Sequence, residues 1–361
     1  MKFMIITNHS YMFYQFRREL VQTLLQEHEV VLAMPYVGHE EKFMEMGCKC
    51  IDTKLDRRSV NVLGEAKLIM TYYRLLKSEK PDVVITYSIK PNVYAGTMCR
   101  MLKIPYFVNV QGIGTAFQSP KMAKVATILY KIGLKKARAV FFENAGNAAE
   151  FVDRGIVKEE KIKLLNGAGV NLDHYALKEY PEVVKTTRFL YLGRIMKEKG
   201  IDEMTYAIRK LHAKYGDKVI LDIVGFYEES YKEQVESLTA EGIAVFHGFQ
   251  CETRPFYERA HCVVLPSYHE GMSNVLLEAA SCGRPLITCD IHGCKEAVED
   301  GVTGYLCQAK DGESLYGQMD KFMQLTHEKC REMGIKGREK MEREFDKAKV
   351  VGETVKTLMS K

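Results

Sequence analysis

Short apolar runs rich in β-branched and aromatic residues recur along the chain. In the first half they read KFMIIT, EVVLAM, DVVITY, PYFVNV, AVFFEN and IKLLN. Between them, apolar residues at helical spacing occupy residues 14–27, 62–79 and 121–136. Because strands that are apolar on both faces need helices on both sides of their sheet, the alternation predicts a doubly wound, parallel α/β domain.

The pattern stops and then starts again. Residues 170–185, VNLDHYALKEYPEVVK, are polar and lack periodicity, which predicts a linker. Beyond them the runs RFLYLG, KVILDIVG, IAVFHG, CVVLPS and PLITCD predict a second sheet, and helical periodicity follows residue 311. With 361 residues, two Rossmann-like domains are expected, at 1–175 and 176–340. A helix over 341–361 can pack back on the first domain or stay with the second.

The composition, 46% hydrophobic and 27% charged, is that of a globular protein. Apolar runs stay well below the roughly 18 residues of a membrane span, and the opening MKFMIITNHS is typical of a first strand rather than a signal peptide. The ten cysteines form no C-x-x-C pair, so we interpret them as reduced packing residues of a cytoplasmic protein. Cys289, His292 and Cys294 lack a second ligand pair, and no metal is expected there.

The net charge of +5 is unevenly distributed. Residues 1–180 hold 26 Lys and Arg against 18 Asp and Glu, and residues 83–142 contain nine basic residues and no acidic one. Just upstream, residues 62–79 place Leu63, Ala66, Ile69, Met70, Tyr73 and Leu76 on one helical stripe beside Lys67, Arg74 and Lys77. This pattern suits an anionic membrane surface, with a solvated helix as the plain alternative. No nucleic-acid partner is expected, because no recognised binding motif is present.

Two strand ends in the second half carry residues suited to a diphosphate. The first run ends in Gly193 and Arg194, with Lys199 a few residues later. Arg offers a planar fork of donors and Lys a point charge, although basic residues are also common before helices.

The other strand end is SYHEGMSNVLLEAASCG, with Glu270 before and Glu278 after a predicted helix start. A helix N-terminus exposes N–H groups, so Gly271, Met272, Ser273 and Asn274 can hold phosphate oxygens. A carboxylate at Glu278 can accept from ribose hydroxyls, as acidic residues do in dinucleotide sites. The alternative makes Glu270 a solvated loop residue and Glu278 a surface helix residue. Gly225 and Phe249 end two further strands and can border a flat base.

Taken together, G-R-x4-K-G followed by S-x2-E-G-x6-E-A-x2-C-G-x-P resembles the donor site of retaining glycosyltransferases of family 4, which have the GT-B fold. The first half, with DRRSVN, TYSIKPNVYAG and NVQGIGTAFQ, is similar to bacterial enzymes that build capsule, exopolysaccharide or N-glycan repeats on a polyprenyl diphosphate, including N-acetylgalactosaminyltransferases. The resemblance implies two domains facing across a cleft, a UDP-sugar donor, retention of configuration, and no cofactor or metal.

Carried over, the resemblance assigns Arg194 and Lys199 to the leaving diphosphate, Glu270 to the transferred sugar and Glu278 to the ribose. Glu270, Arg194 and Lys199 are thus the catalytic candidates. The first domain departs from the family: TNHSYMF replaces a glycine pair, and Gln111 stands where relatives carry a histidine. The acceptor-side candidates are His9, Ser10, Tyr11, Arg17, Lys90 and Gln111, with Asn109 and Glu143 as further candidate groups.

Three functions remain open on this reading. The preferred one transfers a hexose or N-acetylhexosamine, GalNAc or GlcNAc first, from a UDP-sugar to a polyprenyl-diphosphate-linked saccharide, at the inner face of the cell membrane. The second is a UDP-sugar 2-epimerase of the same fold. The third is a non-catalytic subunit of a polysaccharide assembly complex, which has no need of both glutamates together with Arg194 and Lys199.

Overall fold

A computed structural model describes residues 1–54, 62–114, 117, 119–182 and 185–360. The chain divides into two compact units. The first contains Met1–Ala168 and Ala348–Lys361, and the second contains Gly169–Lys347. The polar stretch that the sequence predicts to be a linker therefore lies, in its described part, within the second unit.

The first unit is built on a sheet of seven parallel strands. These are β1 (Lys2–Ile6), β2 (Glu29–Met34), β3 (Lys49–Asp52), β4 (Val83–Tyr87), β5 (Tyr106–Val110), β6 (Val140–Phe142) and β7 (Ile162–Leu164). Their order in the sheet is β3-β2-β1-β4-β5-β6-β7. The order changes direction between β1 and β4, so the loops that follow these two strands flank a topological switch point.

Helices cover both faces of this sheet. They are α1 (Ser10–Leu25), α2 (Glu40–Glu45), α3 (Val62–Glu79), α4 (Gly96–Leu102), α5 (Pro120–Leu134) and α6 (Ala145–Asp153), with a π-helical turn at Pro91–Ala95 before α4. One core layer holds side chains of α3, α4, α5 and α6, and the other holds side chains of α1 and α2. Helix α1 begins at Ser10, earlier than its apolar periodicity predicts, because the His9 side chain accepts a hydrogen bond from the Met12 N–H and caps the helix.

The second unit has a sheet of six parallel strands. These are β8 (Thr187–Leu192), β9 (Val219–Val224), β10 (Ala244–Phe246), β11 (Cys262–Leu265), β12 (Leu286–Cys289) and β13 (Gly304–Cys307), in the order β10-β9-β8-β11-β12-β13. Its helices are α7 (Ile201–Tyr215), α8 (Lys232–Ala240), α9 (Arg254–Arg259), α10 (Asn274–Ser281), α11 (Gly312–Met323) and α12 (His327–Lys340). The switch point lies between β8 and β11.

The predicted parallel, doubly wound sheets are confirmed in both units. The chain ends in a π-helical turn, Met341–Phe345, and helix α13 (Lys347–Met359). Val350 and Leu358 of α13 are buried in a core layer of the first unit. The C-terminal helix therefore packs on the sheet that the first 168 residues build.

Candidate active site

The loops after β8, β9 and β10 are joined by backbone contacts. The N–H of Gly193 donates to the Val224 carbonyl over 3.0 Å, and the N–H of Gly225 donates to the Gly248 carbonyl over 2.9 Å. A Cβ atom at Gly225 would lie 1.8 Å from the Gly193 carbonyl oxygen, so only glycine allows this approach. Two of the predicted donor-site residues, Gly193 and Gly225, thus have a clear role in bringing strand ends together.

The loops after β8 and β11 meet at the switch point of the second sheet. The Tyr268 N–H donates to the Glu198 carbonyl over 2.9 Å, and a Cβ atom at Gly200 would lie 2.1 Å from the Pro266 carbonyl oxygen. The two sequence motifs, separated by about 70 residues of chain, therefore form one surface. This is the place where open α/β sheets bind their ligands.

An ion pair between Lys199 and Glu270 lies at this junction. Both side chains are largely buried, with 16% and 13% of their surface exposed. Burial and the nearby Glu270 carboxylate raise the pKa of Tyr191, whose hydroxyl donates to the Arg194 carbonyl over 2.8 Å. Arg194 is exposed in the loop after β8. Arg194 and Lys199 thus follow β8 and Glu270 follows β11, and the ion pair joins these two strand ends.

The N-terminus of α10 is shaped by a contact with the turn after β12. The Ser273 N–H donates to the Gly293 carbonyl over 2.8 Å, and a Cβ atom at Gly293 would lie 2.8 Å from that of Glu270. The Ser273 N–H is thus committed within the fold. The N–H groups of α10 that can hold an anion begin at Asn274.

The side chain of Met272 does not face a ligand. It is buried in the hydrophobic core of the second unit, so only its backbone can serve a ligand. Gly271 lies directly between it and Glu270, in the loop that Gly293 supports. The loop is therefore anchored on one side by an apolar side chain and on the other by a glycine contact.

Glu278 lies one turn inside α10, and its environment is unusual for a carboxylate. The Tyr257 hydroxyl donates to Oε2 over 2.8 Å, although part of the Glu278 surface stays exposed. Burial raises the pKa of Glu278 to about 7, against the opposing effects of Tyr257, Tyr175 and Lys347. The group can therefore change its protonation state near neutral pH, and its hydrogen-bonding character changes with it.

Phe249 is more than half exposed and lies edge-on to Phe226, with ring centroids 6.0 Å apart. Asp222 of β9, which is buried, supports the turn that carries Phe249. Its carboxylate contacts the His247 ring over 2.6 Å and Arg188 over 2.9 Å. The sequence reasoning missed this support. A lone Asp inside the apolar strand VILDIV was the signal that could have revealed it, because a buried charge requires partners.

In the first unit, the loops after β1 and β4 meet at the other switch point, where the Ser88 hydroxyl donates to the Asn8 side chain over 2.8 Å. His9 caps α1, and the Tyr11 ring stacks on His39 at 4.7 Å. Ser10 is fully buried and donates to the Gly38 carbonyl over 2.8 Å. Ser10 and the capping His9 side chain therefore both have structural roles. His9 and Tyr11 also lie at the strand end expected for a ligand.

The cationic acceptor candidates are paired within the same unit. Arg17 is 5% exposed and donates to Glu143 over 2.5 Å, with its guanidinium 5.5 Å from the Tyr87 ring centroid. Lys90 donates to Glu65 over 2.7 Å. A diphosphate would therefore compete with a carboxylate for either cation. The sequence around Arg17 and around Lys90 does not indicate these partners.

Gln111 and Asn109 follow or end β5. Gln111 is partly exposed directly after the strand, while Asn109 is buried and its carbonyl accepts from the Asn92 side chain over 2.8 Å. Gln111 thus stays a candidate by position. The Asn109 side-chain amide donates to the Thr86 carbonyl of β4 over 3.5 Å, so it is used within the fold.

The described residues contain no group of three or more His, Cys, Asp or Glu arranged to hold a metal ion. Of the three residues considered for zinc, Cys289 lies 3.6 Å from Cys307 between their sulfur atoms, and His292 contacts Glu296 over 2.9 Å. Cys294 is buried. Within the described part of the chain, no helix is both long and apolar enough to cross a membrane.

Comparison with protein families gives two matches, one for each half of the chain. Residues 3–144 match the family described as glycosyl transferase 4-like, and residues 176–340 match glycosyl transferases group 1.

Individual relatives are similar to this chain over most of their length. A Campylobacter jejuni N,N'-diacetylbacillosaminyl-diphospho-undecaprenol alpha-1,3-N-acetylgalactosaminyltransferase is 26% identical over 321 residues, 84% of each chain. An Escherichia coli UDP-Gal:alpha-D-GlcNAc-diphosphoundecaprenol alpha-1,3-galactosyltransferase is 25% identical over 304 residues, 78% of this chain and 77% of the relative. The crystal structure of Anabaena HepE with UDP and glucose superposes with a TM-score of 0.81 over 99% of both chains at 17% identity, which is a likeness of fold.

Proposed function

Since the chain belongs to the glycosyltransferases of the GT-B fold, with a family 4-like first half and a group 1 second half, we propose that it transfers a hexose or N-acetylhexosamine from a UDP-sugar to a polyprenyl-diphosphate-linked saccharide. GalNAc and GlcNAc are the first donors to test. The reaction proceeds with retention of configuration and without a metal or cofactor. The product enters a surface polysaccharide or glycan.

The junction of the β8 and β11 loops is the observation that carries this proposal. It combines a partly buried Lys–Glu pair, the exposed Arg194 and a helix N-terminus at one switch point. Such a set suits a diphosphate attached to a sugar, because cations and helix N–H groups bind phosphate while a carboxylate binds sugar hydroxyls. Phe249 and Phe226 add an exposed aromatic surface for a base in the same unit.

The acceptor follows from the relatives rather than from the geometry. The Campylobacter and Escherichia relatives both carry an undecaprenol diphosphate in their names. The switch point of the first unit, with His9, Tyr11 and Gln111 nearby, is the matching candidate site. We place the acceptor saccharide there.

The proposed step breaks the bond between the sugar C1 and the UDP oxygen and forms a bond from C1 to an acceptor hydroxyl oxygen on the same face. The acceptor proton passes to a diphosphate oxygen of the departing UDP, so no protein nucleophile is required. Arg194 and Lys199 oppose the charge that develops on the leaving group. Preorganised charges of this kind contribute factors of roughly 10² to 10³ in rate.

A lipid-linked acceptor requires the protein to work at a membrane, and we place it at the inner face of the cell membrane, peripherally bound. The outward face of α3 supports this placement. Leu63 and Met70 are 80% and 48% exposed, and Lys67, Arg74 and Lys77 are also exposed. An amphipathic face with apolar and basic residues suits an anionic leaflet. The adjacent DRRSVN motif lies outside the described residues.

The test is transfer of labelled sugar to a synthetic polyprenyl-diphosphate saccharide, measured with Lys199→Ala and Glu270→Gln. Each variant is expected to lower kcat by about 100-fold or more. Lys197→Ala is the matched control, because Lys197 is an exposed lysine of the same loop and the Glu270 carboxylate pairs with Lys199. It should stay within about twofold of the wild type.

Three results would contradict the proposal. Conversion of the UDP-sugar to its 2-epimer without transfer would identify an epimerase. Activity that appears only with a second protein, and survives both substitutions, would identify a non-catalytic subunit. Loss of transfer on adding EDTA, with recovery on adding a divalent cation, would contradict the metal-free reaction.

A further inference from the structure

A basic pocket lies in the first unit, far along the chain from the residues assigned to catalysis. It has a volume of about 590 Å³, within the roughly 300–1,000 Å³ of ligand pockets. Its basic lining residues are Arg100, Lys131, Lys135, Lys136, Lys158 and Lys161, and Glu160 is the acidic residue in the same lining. The pocket therefore has a strong excess of positive charge.

The position of the pocket separates it from the candidate acceptor site. Its walls come from α4, the C-terminal end of α5 and the turn at residues 155–161 that leads into β7. Chain segments that lead into strands lie at the amino ends of a parallel sheet. The acceptor candidates follow the carboxyl ends of β1, β4 and β5, so the two places lie at opposite edges of one sheet.

Helix capping explains only part of this charge. Arg100 donates to the Ile132 carbonyl over 3.1 Å, and Lys161 donates to the Lys135 carbonyl over 3.4 Å, as basic residues do at helix C-termini. Lys131 instead extends toward the turn, with its Nζ 3.6 Å from the Cβ position of Gly155. Burial, together with Lys136 and Lys158, lowers the pKa of Lys161. An anion in the pocket would relieve that repulsion.

The outward face of α5 beside the pocket is apolar. Met122, Val125, Ile128 and Ile132 are 49%, 52%, 59% and 41% exposed, and their spacing places them on one stripe of the helix. Ala123, Ala126, Tyr130 and Leu134 form the opposite, buried stripe. Ile132 also lines the pocket, so the apolar stripe leads directly to the cluster of cations.

From this juxtaposition we infer that the pocket binds the phosphate group of an anionic phospholipid while the α5 stripe enters the acyl boundary of the leaflet. A soluble phosphate would use the cations alone, and the stripe would then have no ligand. The lipid explains both, because an interfacial helix combines apolar burial with attraction to anionic head groups.

The lipid pocket bears on the proposed function only because a lipid-linked acceptor lies in a membrane. Vesicle binding is measured without donor or acceptor, so the two proposals can fail separately. Sugar transfer to a soluble, short-chain acceptor is expected to survive loss of the pocket.

The experiment is vesicle flotation of the full chain at about 0.15 M salt, where surface charges act over about 8 Å. Vesicles of phosphatidylcholine are compared with vesicles that contain phosphatidylglycerol. The variant Lys131→Gln/Lys135→Gln/Lys136→Gln spares the two helix-capping side chains. It should lower binding to the anionic vesicles by about tenfold or more, since each basic residue near such a surface contributes appreciably.

Two matched variants make the result specific. Lys218→Gln/Lys232→Gln/Lys336→Gln removes the same charge from exposed sites of the second unit and should change binding by less than about twofold at this salt. Val125→Ser/Ile128→Ser keeps the charge and removes two side chains of the apolar stripe. It should weaken vesicle binding several-fold. Circular dichroism melting of each variant checks that it is folded.

Several outcomes would overturn the inference. Equal losses in the two lysine variants would show diffuse attraction without a pocket. Binding of inorganic phosphate that needs the three pocket lysines, combined with vesicle binding that ignores the stripe variant, would show a soluble-anion site. Pocket-dependent binding of single-stranded RNA tighter than binding to anionic vesicles would assign the surface to nucleic acid.

Discussion

Glu278 is the residue whose surroundings alter the sequence reading most. The motif alone suggests an ionised carboxylate that accepts hydrogen bonds from ribose hydroxyls. In the structure it accepts a hydrogen bond from Tyr257, and burial raises its pKa to about 7. A proton on Glu278 near neutral pH would turn one acceptor oxygen into a donor, so both stability and donor binding should depend on pH.

The stability effect has a definite sign. An exposed glutamate titrates near pH 4.3, so between that pH and about 7 the folded chain holds a proton that the unfolded chain has lost. Stability from this group therefore falls as the pH rises through that window, by up to about 4 kcal/mol. Glu278→Gln should flatten this part of the pH profile in urea denaturation. Glu236→Gln, at an exposed glutamate, should leave the slope unchanged, and an unchanged slope in Glu278→Gln would refute the explanation.

Donor binding should move in the opposite direction with pH. If the ionised carboxylate binds the ribose, affinity for UDP-GlcNAc should rise about tenfold from pH 6 to pH 8 as Glu278 with a pKa of about 7 loses its proton. A UDP-sugar is a suitable probe because its diphosphate diester does not titrate in this range. Calorimetric titration of wild type and Glu278→Gln tests this, and a tenfold rise retained in the variant would assign the pH dependence to another group.

Which residues the sequence could identify depended on how local their partners are. Arg194, Lys199, Glu270 and Glu278 lie in two compact motifs, so the sequence can single them out as candidates. Tyr257 was missed because it reaches Glu278 across 21 residues without a pattern of its own.

The carboxylate partners of the acceptor-side cations are hidden from the sequence for the same reason. Nothing in the local sequence of Arg17 indicates that Glu143, 126 residues away, will bury its charge. Charged side chains chosen from sequence alone are therefore weakest where the fold supplies a distant counter-ion.

At the scale of elements, the strands were predictable because buried parallel strands are continuous apolar runs. Two strands were not predicted: β3 has no buried residue, and β13 begins with a glycine. The polar stretch after Val170 packs on the second unit by a different means. Arg284 donates to the carbonyls of Lys178 and Glu179 over 2.8 and 2.6 Å. Because a backbone carbonyl accepts a hydrogen bond whatever its side chain, such packing leaves no hydrophobic periodicity in the sequence.

Loop glycines of the second unit offer a matched test of loop contact. Gly200 and Gly242 have nearly equal positive φ angles, 72° and 71°. A Cβ atom at Gly200 would lie 2.1 Å from the Pro266 carbonyl oxygen, whereas nothing lies within 4 Å of one at Gly242. Gly242→Ala should therefore cost only the backbone strain, about 1 kcal/mol. Gly200→Ala adds a clash and should cost about 3 kcal/mol or more, with weaker UDP-sugar binding.

Urea denaturation and donor titration of the two glycine variants measure these effects. Equal destabilisation would mean that the β8 and β11 loops separate without cost. In that case the contact between the two motifs would not explain the geometry of the Lys199–Glu270 pair.

At the scale of the whole molecule, the chain returns at its end to the unit in which it began. Side chains of Val350 and Leu358 complete a core layer that contains Phe3, Phe13 and Phe141. The first unit is therefore continuous in space and discontinuous in sequence. A protein with this arrangement cannot complete its first unit until α13 has been synthesised.

Substitutions in α13 test this dependence. Leu358 is 2% exposed and its neighbour Met359 is 42% exposed. Leu358→Ala should therefore cost about 2–4 kcal/mol through lost burial and a residual cavity, whereas Met359→Ala should stay within about 0.5 kcal/mol.

A fragment of residues 1–168 should be poorly folded alone and should gain a cooperative melting transition when a peptide of residues 348–361 is added. A fragment that melts cooperatively without the peptide, and is unaffected by it, would show that the sheet of the first unit does not need α13.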